Sequence, residues 1–323
     1  MDTSEAIWDC RDQYGWINRV AKGTLPPLII SVAITGGVQG KEVNPNIPES
    51  AEEQAEQTYE CYKLGACVVH VHCRKPDNPA QTTGNHADYR RVNGLIREKC
   101  PDIIINNTTG GGEGLTKEEE RLSAVEANPE ICSLDVGPLA FKFGIKRREP
   151  PLSGRPKDIV FDDVSPVTFG ETERFAKAML ERGIKPEIEV FHPGSWWFVY
   201  NLIEKGLVKP PYFIQFCMGL SSGAHPTPKN LLHMLETAPM PSIFSVLGVG
   251  HYQTPMITMG ILLGIHVRTG LEDNVLYKRR ELSKSNAQLV ERVVKIAREL
   301  ERDIATPKQA RQMLGVSEKP SKY

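Results

Sequence analysis

Along most of the chain, short runs of apolar and β-branched residues alternate with longer stretches in which apolar positions recur every three or four residues. The short runs predict strands and the longer ones amphipathic helices. Eight strands are expected: LIISVAI (28–34), CVVHVH (67–72), DIIINN (102–107), EICSLD (130–135), EIEVF (187–191), YFIQFC (212–217), IFSVLG (243–248) and IHVRTG (265–270). Between the first two lies SAEEQAEQTYECYKLG, where Ser50 and Glu53 make a capping box and Gly65 a C-terminal stop. Pro228 fits the first turn of another helix. KRRELSKSNAQLVERVVKIARELER is expected as the last and longest helix.

Eight β-α units with nearly continuous apolar strands predict a closed (β/α)8 TIM barrel, an α/β fold, rather than an open sheet. A single catalytic domain over residues 26–323 is expected, preceded by an N-terminal extension, residues 1–25. Trp8, Tyr14 and Trp16 in that extension are costly to leave in water, so it should wrap the barrel or a neighbouring subunit. Residues 138–165, rich in proline and charge, read as an insertion after the fourth strand.

Charge narrows the partners. Thirty-nine Lys and Arg against 40 Asp and Glu give a net charge of -1, with no basic tract suited to nucleic acid or an anionic membrane. No run approaches the 18 apolar residues of a membrane span, and the first residues lack a signal-peptide pattern. A cytoplasmic location is expected, with the seven cysteines as free thiols.

The chemistry starts at GACVVHVHCR, residues 65–74. In a strand, side chains two apart share a face, so His70, His72 and Arg74 point one way and Val69, Val71 and Cys73 the other. The valine face suits the helices, which turns the histidines inward, near the strand's C-terminal end where barrels keep their chemistry. Two inward imidazoles are half of a zinc site; the plain structural reading is a pair of core histidines satisfied by backbone groups. HVRTGLEDN, after strand 8, offers a third ligand: Glu272 and Asp273 are adjacent, so one carboxylate can bind a metal while the other stays free as a base, and Arg268 can hold a carboxylate in place. The same loop also reads as an ordinary acidic helix start.

Other strand ends supply polar groups. NNTTGGGEG offers the hydroxyls of Thr108 and Thr109 and flexible backbone N–H groups from Gly110 onward, suited to an anionic oxygen, and reads equally well as a plain turn. Gly248 and Gly250 follow strand 7, where barrels often bind phosphate. His192 reaches the rim after strand 5, and GLSSGAHPTPKN, with Ser221, forms a shaped loop after strand 6.

SVAITGG, GACVVHVHCR, IIINNTTGG, IQFCMGLSSGAHPTPKNLLHML and HVRTGLEDN in this order resemble the β-keto acid cleavage enzymes, over about residues 26–315. The resemblance implies a zinc-dependent barrel that takes a small-molecule β-keto acid and the co-substrate acetyl-CoA and releases acetoacetate and a new acyl-CoA. It implies a homo-oligomer, a tetramer. It assigns Zn2+ to His70, His72 and Glu272, the base to Asp273 oriented by Arg268, and a hydroxyl role near the reacting groups to Thr108. Val38 occupies the place of an acidic residue that meets a substrate amino group in the family's type member, which argues against an amino-bearing substrate. Asp135, Pro138 and His192 also depart from the family pattern at substrate positions.

Three rivals remain in view. Amidohydrolase-like zinc hydrolases also carry HxH on a barrel strand, but on strand 1, with further histidines from strands 5 and 6. Two histidines and a carboxylate also suit Fe(II). A barrel kept as a non-catalytic binding protein would bind ligand without turnover.

Overall fold

A computed structural model describes residues 8–114 and 117–323. Eight parallel strands close into a barrel: β1 (Ile30–Ala33), β2 (Val68–Val71), β3 (Ile104–Asn107), β4 (Ile131–Val136), β5 (Lys185–Val190), β6 (Tyr212–Met218), β7 (Ser242–Gly248) and β8 (His266–Thr269). Each pairs with its neighbours in sequence, and β1 pairs with β8. All eight lie within the expected apolar runs or within two residues of them, and the fold is the expected (β/α)8 barrel.

Two separate apolar clusters follow from the two-residue period of the strands. Val69, Val71, Ile105, Ile188, Ile214 and Val246 face outward and pack with the helices in the larger cluster. Val68, Ile104, Ile131, Phe213 and Ile243 form a second cluster with Ala305, Ala310 and Leu314, the last two from the helix Pro307–Leu314. That second cluster is the floor of the barrel, plugged by the final helix. Each buried Val, Leu, Ile or Phe among them stabilises the fold by about 1.5–3 kcal/mol. Above the floor the inward positions turn polar, with buried His70, Asn106, Glu187, Gln215, Ser245 and Arg268.

The helix Ala51–Lys63 starts in the expected capping box between Ser50 and Glu53, and Gly65 follows its end at φ 109°. Pro228 opens the helix Pro228–Thr237. The expectation for residues 278–302 needs correction. The helix runs only over Asn286–Glu299, capped by Ser285, because Leu276–Lys278 and Glu281–Leu282 form a small antiparallel pair ahead of it. It is also not the last helix, since Pro307–Leu314 follows.

The extension docks on the barrel's own helices. The Trp8 indole donates to Glu236 at 2.9 Å, that of Trp16 donates to the Leu262 carbonyl at 3.3 Å, and the two rings meet edge to face. Tyr14 instead points to solvent, 79% exposed. Residues 1–7 lie outside the described residues.

The insertion after β4 is a hairpin, Leu139–Ile145 paired antiparallel with Ile159–Ser165. Its connecting segment crosses to the loop after β1. There Arg148 grips Glu49 through two contacts of 2.8 Å and Glu42 at 2.9 Å, while Arg155 donates to Glu113 at 2.7 Å and to the Val38 carbonyl at 3.0 Å. In the closed order β1 and β4 are not neighbours, so the hairpin straps one side of the mouth to another.

Candidate active site

Three ligand-type side chains converge at the C-terminal end of the barrel. His70 ends up opposite Ala33 on β1 and Asn106 on β3, which fixes it as an interior residue. His72 lies two residues on, with its ring 5.2 Å from that of His70. Glu272 comes from the turn after β8. Gly270 makes that turn possible: its φ is 142°, and a Cβ there would lie 2.0 Å from the Ala33 carbonyl oxygen. Glu272 Oε1 is 3.3 Å from His72 Nε2, and Oε2 is 3.7 Å from His70 Nε2.

These separations fit a metal. Ligands about 2.0–2.1 Å from a four-coordinate ion stand roughly 3.4 Å apart. One donor atom from each of the three residues falls within 4.8 Å of the others. Glu272 Oε2 has no hydrogen-bond partner among the described residues, as expected of an atom that awaits a cation. Burial, with the nearby Arg268 charge, holds the His70 imidazole well below its ordinary pKa, which keeps it neutral with a lone pair to give. Burial would raise Glu272, but the Arg268 charge opposes it and keeps the carboxylate ionised. The residues therefore fit a divalent cation of the zinc type, held by two imidazole nitrogens and one carboxylate oxygen.

Arg268 organises the acids around this triad. Its guanidinium donates to both oxygens of Asp273, at 2.9 and 3.1 Å, to Glu189 at 3.2 Å, and to Glu272. Burial pushes the Asp273 carboxyl up to about 6, with Arg268 opposing and Glu272 adding to the rise. An acid held in this way is poised to exchange protons near neutrality.

Reasoning from metal-ligand chemistry alone passes over Glu187 and Glu189, although PEIEVF carries the same two-residue alternation as VVHVH. Glu187 is fully buried, accepts from Asn106 Nδ2 at 2.6 Å, and lies 4.0 Å from His70 Nδ1. Burial pushes it up to about 7. Glu189 is raised well above the carboxylate range by burial and by the neighbouring Asp135 carboxylate. Arg74, on the histidine face as expected, holds the loop after β1 by donating to the carbonyls of Gly36 and Gln39.

The other expected site residues divide. Thr108 is buried beside the site, accepting from the Gly110 N–H at 3.0 Å, and Gly110 lies next to Asp135. That bond, and those from the Thr109 N–H and hydroxyl to Ser133, commit the Thr109 and Gly110 amides and the Thr109 hydroxyl within the loop. Gly250 is committed likewise. Its N–H donates to the Asp273 carbonyl at 2.7 Å, so it steadies the backbone of Asp273 and is not free to meet a phosphate. A Cβ on Gly248 would meet Tyr252 and Met256, so this glycine serves packing. Ser221 is exposed, and it is Ser222 that bonds to Ala140 of the hairpin. His192 and Val38 are half-buried at the rim.

Residues 27–316 match a family model described as beta-keto acid cleavage enzyme. The chain is 38% identical over 289 residues to a 3-keto-5-aminohexanoate cleavage enzyme of Fusobacterium nucleatum, covering 90% of this chain and 98% of the relative. It is 33% identical over 295 residues to a 3-oxoadipate:acetyl-CoA acetyltransferase of Cupriavidus necator, covering 90% and 95%. Among solved structures, the apo structure of ObcA superposes with a TM-score of 0.64 at 17% identity, covering 84% of this chain and 66% of that one, a likeness of fold alone.

Proposed function

We propose, from the premise that the chain belongs to the beta-keto acid cleavage enzyme family, that it exchanges acyl groups between a β-keto acid and acetyl-CoA. In this reaction R–CO–CH2–COO⁻ and CH3CO–SCoA become R–CO–SCoA and CH3CO–CH2–COO⁻, which is acetoacetate. The observation that carries the reading is Asp273, clamped by Arg268 directly beside the His70, His72 and Glu272 triad.

Asp273 takes a proton from the carbon between the keto and carboxylate groups. The carbanion attacks the thioester carbonyl and expels the CoA thiolate. That thiolate attacks the original keto carbon, the bond to the former carbanion carbon breaks, and Asp273 returns the proton to acetoacetate. Arg268 opposes the rise that burial imposes on Asp273, so the carboxylate is ionised when it meets the substrate, and it keeps the group aimed; Thr108 supplies a hydroxyl at the mouth. Zinc, when bound by His70, His72 and Glu272, supplies positive charge to the keto and carboxylate oxygens of the substrate and so acidifies the proton that Asp273 removes.

The substrate is a β-keto acid without an ammonium group. The support is Val38, which gives no carboxylate at the position where the family's type member meets an amino group; the identity with enzymes named for an aminohexanoate does not replace that missing charge. We place the enzyme in the cytoplasm. Six of its seven cysteines are buried free thiols, and no helix among the described residues is long and apolar enough to cross a membrane.

The test is incubation of zinc-loaded protein with acetyl-CoA and a panel of β-keto acids, following acetoacetate and acyl-CoA together. Equimolar appearance of both with one or more acids supports the reading. Hydrolysis without a new thioester, or oxygen uptake with Fe(II), would replace it with one of the rivals.

A further inference from the structure

The hairpin over the mouth carries more apolar surface than a free-standing two-strand ribbon can hide. Alternation places Leu139, Phe141, Phe143 and Ile145 on one face, with Phe161 directly opposite Phe143. Leu139 anchors the base of that face, buried against Phe191, Cys217 and Leu247 at the ends of β5, β6 and β7. The face therefore begins at the barrel mouth. From there an aromatic ladder leads away: Phe141 and Phe143 have ring centres 5.6 Å apart, and Phe143 and Phe161 5.2 Å apart. Phe143 is still 39% exposed.

At the far end lies a recess of ≈ 590 Å³ lined by Lys41, Lys146 and Arg147 together with Glu42, Glu149 and Asp158. Glu42 is paired with Arg148 and Arg155 beneath it, which also hold Glu49 and Glu113; Glu149 is paired with Arg147, and Asp158 accepts from the Arg147 N–H. Lys41 is paired with Glu53. Lys146 is exposed and has no carboxylate within 4.0 Å among the described residues. A seven-residue strand thus joins the mouth to an uncommitted cation over roughly 20 Å.

We propose that the hairpin is the docking platform for the CoA moiety of the thioester co-substrate: its thioester end in the barrel, the methylene and gem-dimethyl groups of its pantetheine arm along Phe141, Phe143 and Phe161, and its nucleotide phosphates at Lys146. The proposal rests on the acyl-exchange reading for the identity of the ligand. Its support is the order of features along the hairpin, an apolar face that starts at the reaction centre and then, just past the strand's end, the exposed Lys146, matched to a ligand built in the same order.

The experiment uses the full-length, zinc-loaded protein with Lys146→Glu and Phe143→Ser, comparing acetyl-CoA with acetyl-pantetheine, which lacks the nucleotide. K146E should raise KM for acetyl-CoA about 10-fold, the effect of one lost charge-assisted contact, and so shrink the preference for acetyl-CoA over acetyl-pantetheine. F143S should raise KM for both thioesters about 5-fold, as expected for one lost apolar contact. CoA binding by calorimetry, which needs no turnover, should weaken in parallel. KM and affinity within twofold of the unsubstituted protein in both variants would overturn the proposal while leaving acyl exchange intact. So would dissociation of an oligomer by F143S at unchanged KM, which would make a second copy the occupant. CoA binding that depends on Lys146 without any acyl exchange would sustain the platform and sink the reaction.

Discussion

Replacing Arg148 by Met tests whether buried charge, and not the hairpin's own hydrogen bonds, fastens the strap over the mouth. The Arg148 side chain is 2% exposed, and its partners Glu49 and Glu42 are 5% and 3% exposed. Methionine removes the cation at similar length and leaves two buried carboxylates, with Arg155 as the nearest remaining cation for Glu42. Breaking such a buried pair costs about 3–5 kcal/mol, whereas a solvent-exposed pair is worth about 0–1. The strap can lift without unfolding the barrel, so the loss is read as local opening as well as in the urea midpoint. Trypsin sites at Lys146, Arg147 and Lys157 sit in the strap's connecting segment. We expect R148M to accelerate cleavage there by at least 10²-fold, the equivalent of about 3 kcal/mol. Adding Glu49→Gln removes the orphaned charge, so the double variant should recover part of the loss; the cycle of single and double variants isolates that coupling. Unchanged cleavage together with a stability loss below about 1 kcal/mol would refute a clamp made of buried charge.

His70→Ala or Glu272→Gln should lower bound zinc well below one per chain and abolish acyl exchange; full zinc content measured by plasma emission spectrometry would remove that residue from the ligand set. Asp273→Asn should keep zinc yet lower kcat on the order of 10² or more in single-turnover assays, because the acceptor for the substrate proton is gone. Gly37→Ala would place a Cβ 2.7 Å from the Gly111 carbonyl and 3.0 Å from His72 Nδ1. Its expected result is a weaker metal affinity by competition with a chelator, and an affinity equal to that of the unsubstituted protein would show that the loop yields freely. Glu187→Ala should weaken zinc about 10- to 100-fold by removing the carboxylate behind His70, which the same titration reads.

How much of this was legible depended on the range of the forces involved. The strands and the closed barrel are written in local pattern. Runs such as CVVHVH and YFIQFC are apolar enough to be covered on both faces, and helix signals separate them. The inward turn of His70 and His72 follows from the period of two, and Glu272 and Asp273 from their place just past the eighth strand. The hairpin was not legible, because ten of the 27 residues 139–165 are charged and blur the alternation, and its pairing reaches from Leu139 to Ser165.

The sequence by itself determined which side chains share a strand face and which strand end carries them, since both depend only on backbone geometry and chain order. The tertiary structure alone decided who meets whom across the barrel. Arg268 gathers Glu189, Glu272 and Asp273, Asn106 reaches Glu187, and Arg148 and Arg155 cross the mouth to Glu42, Glu49 and Glu113. Around Arg268 such contacts set the protonation of Glu189, Glu272 and Asp273, because charge in a dry interior responds to neighbours a few ångströms away, however distant along the chain.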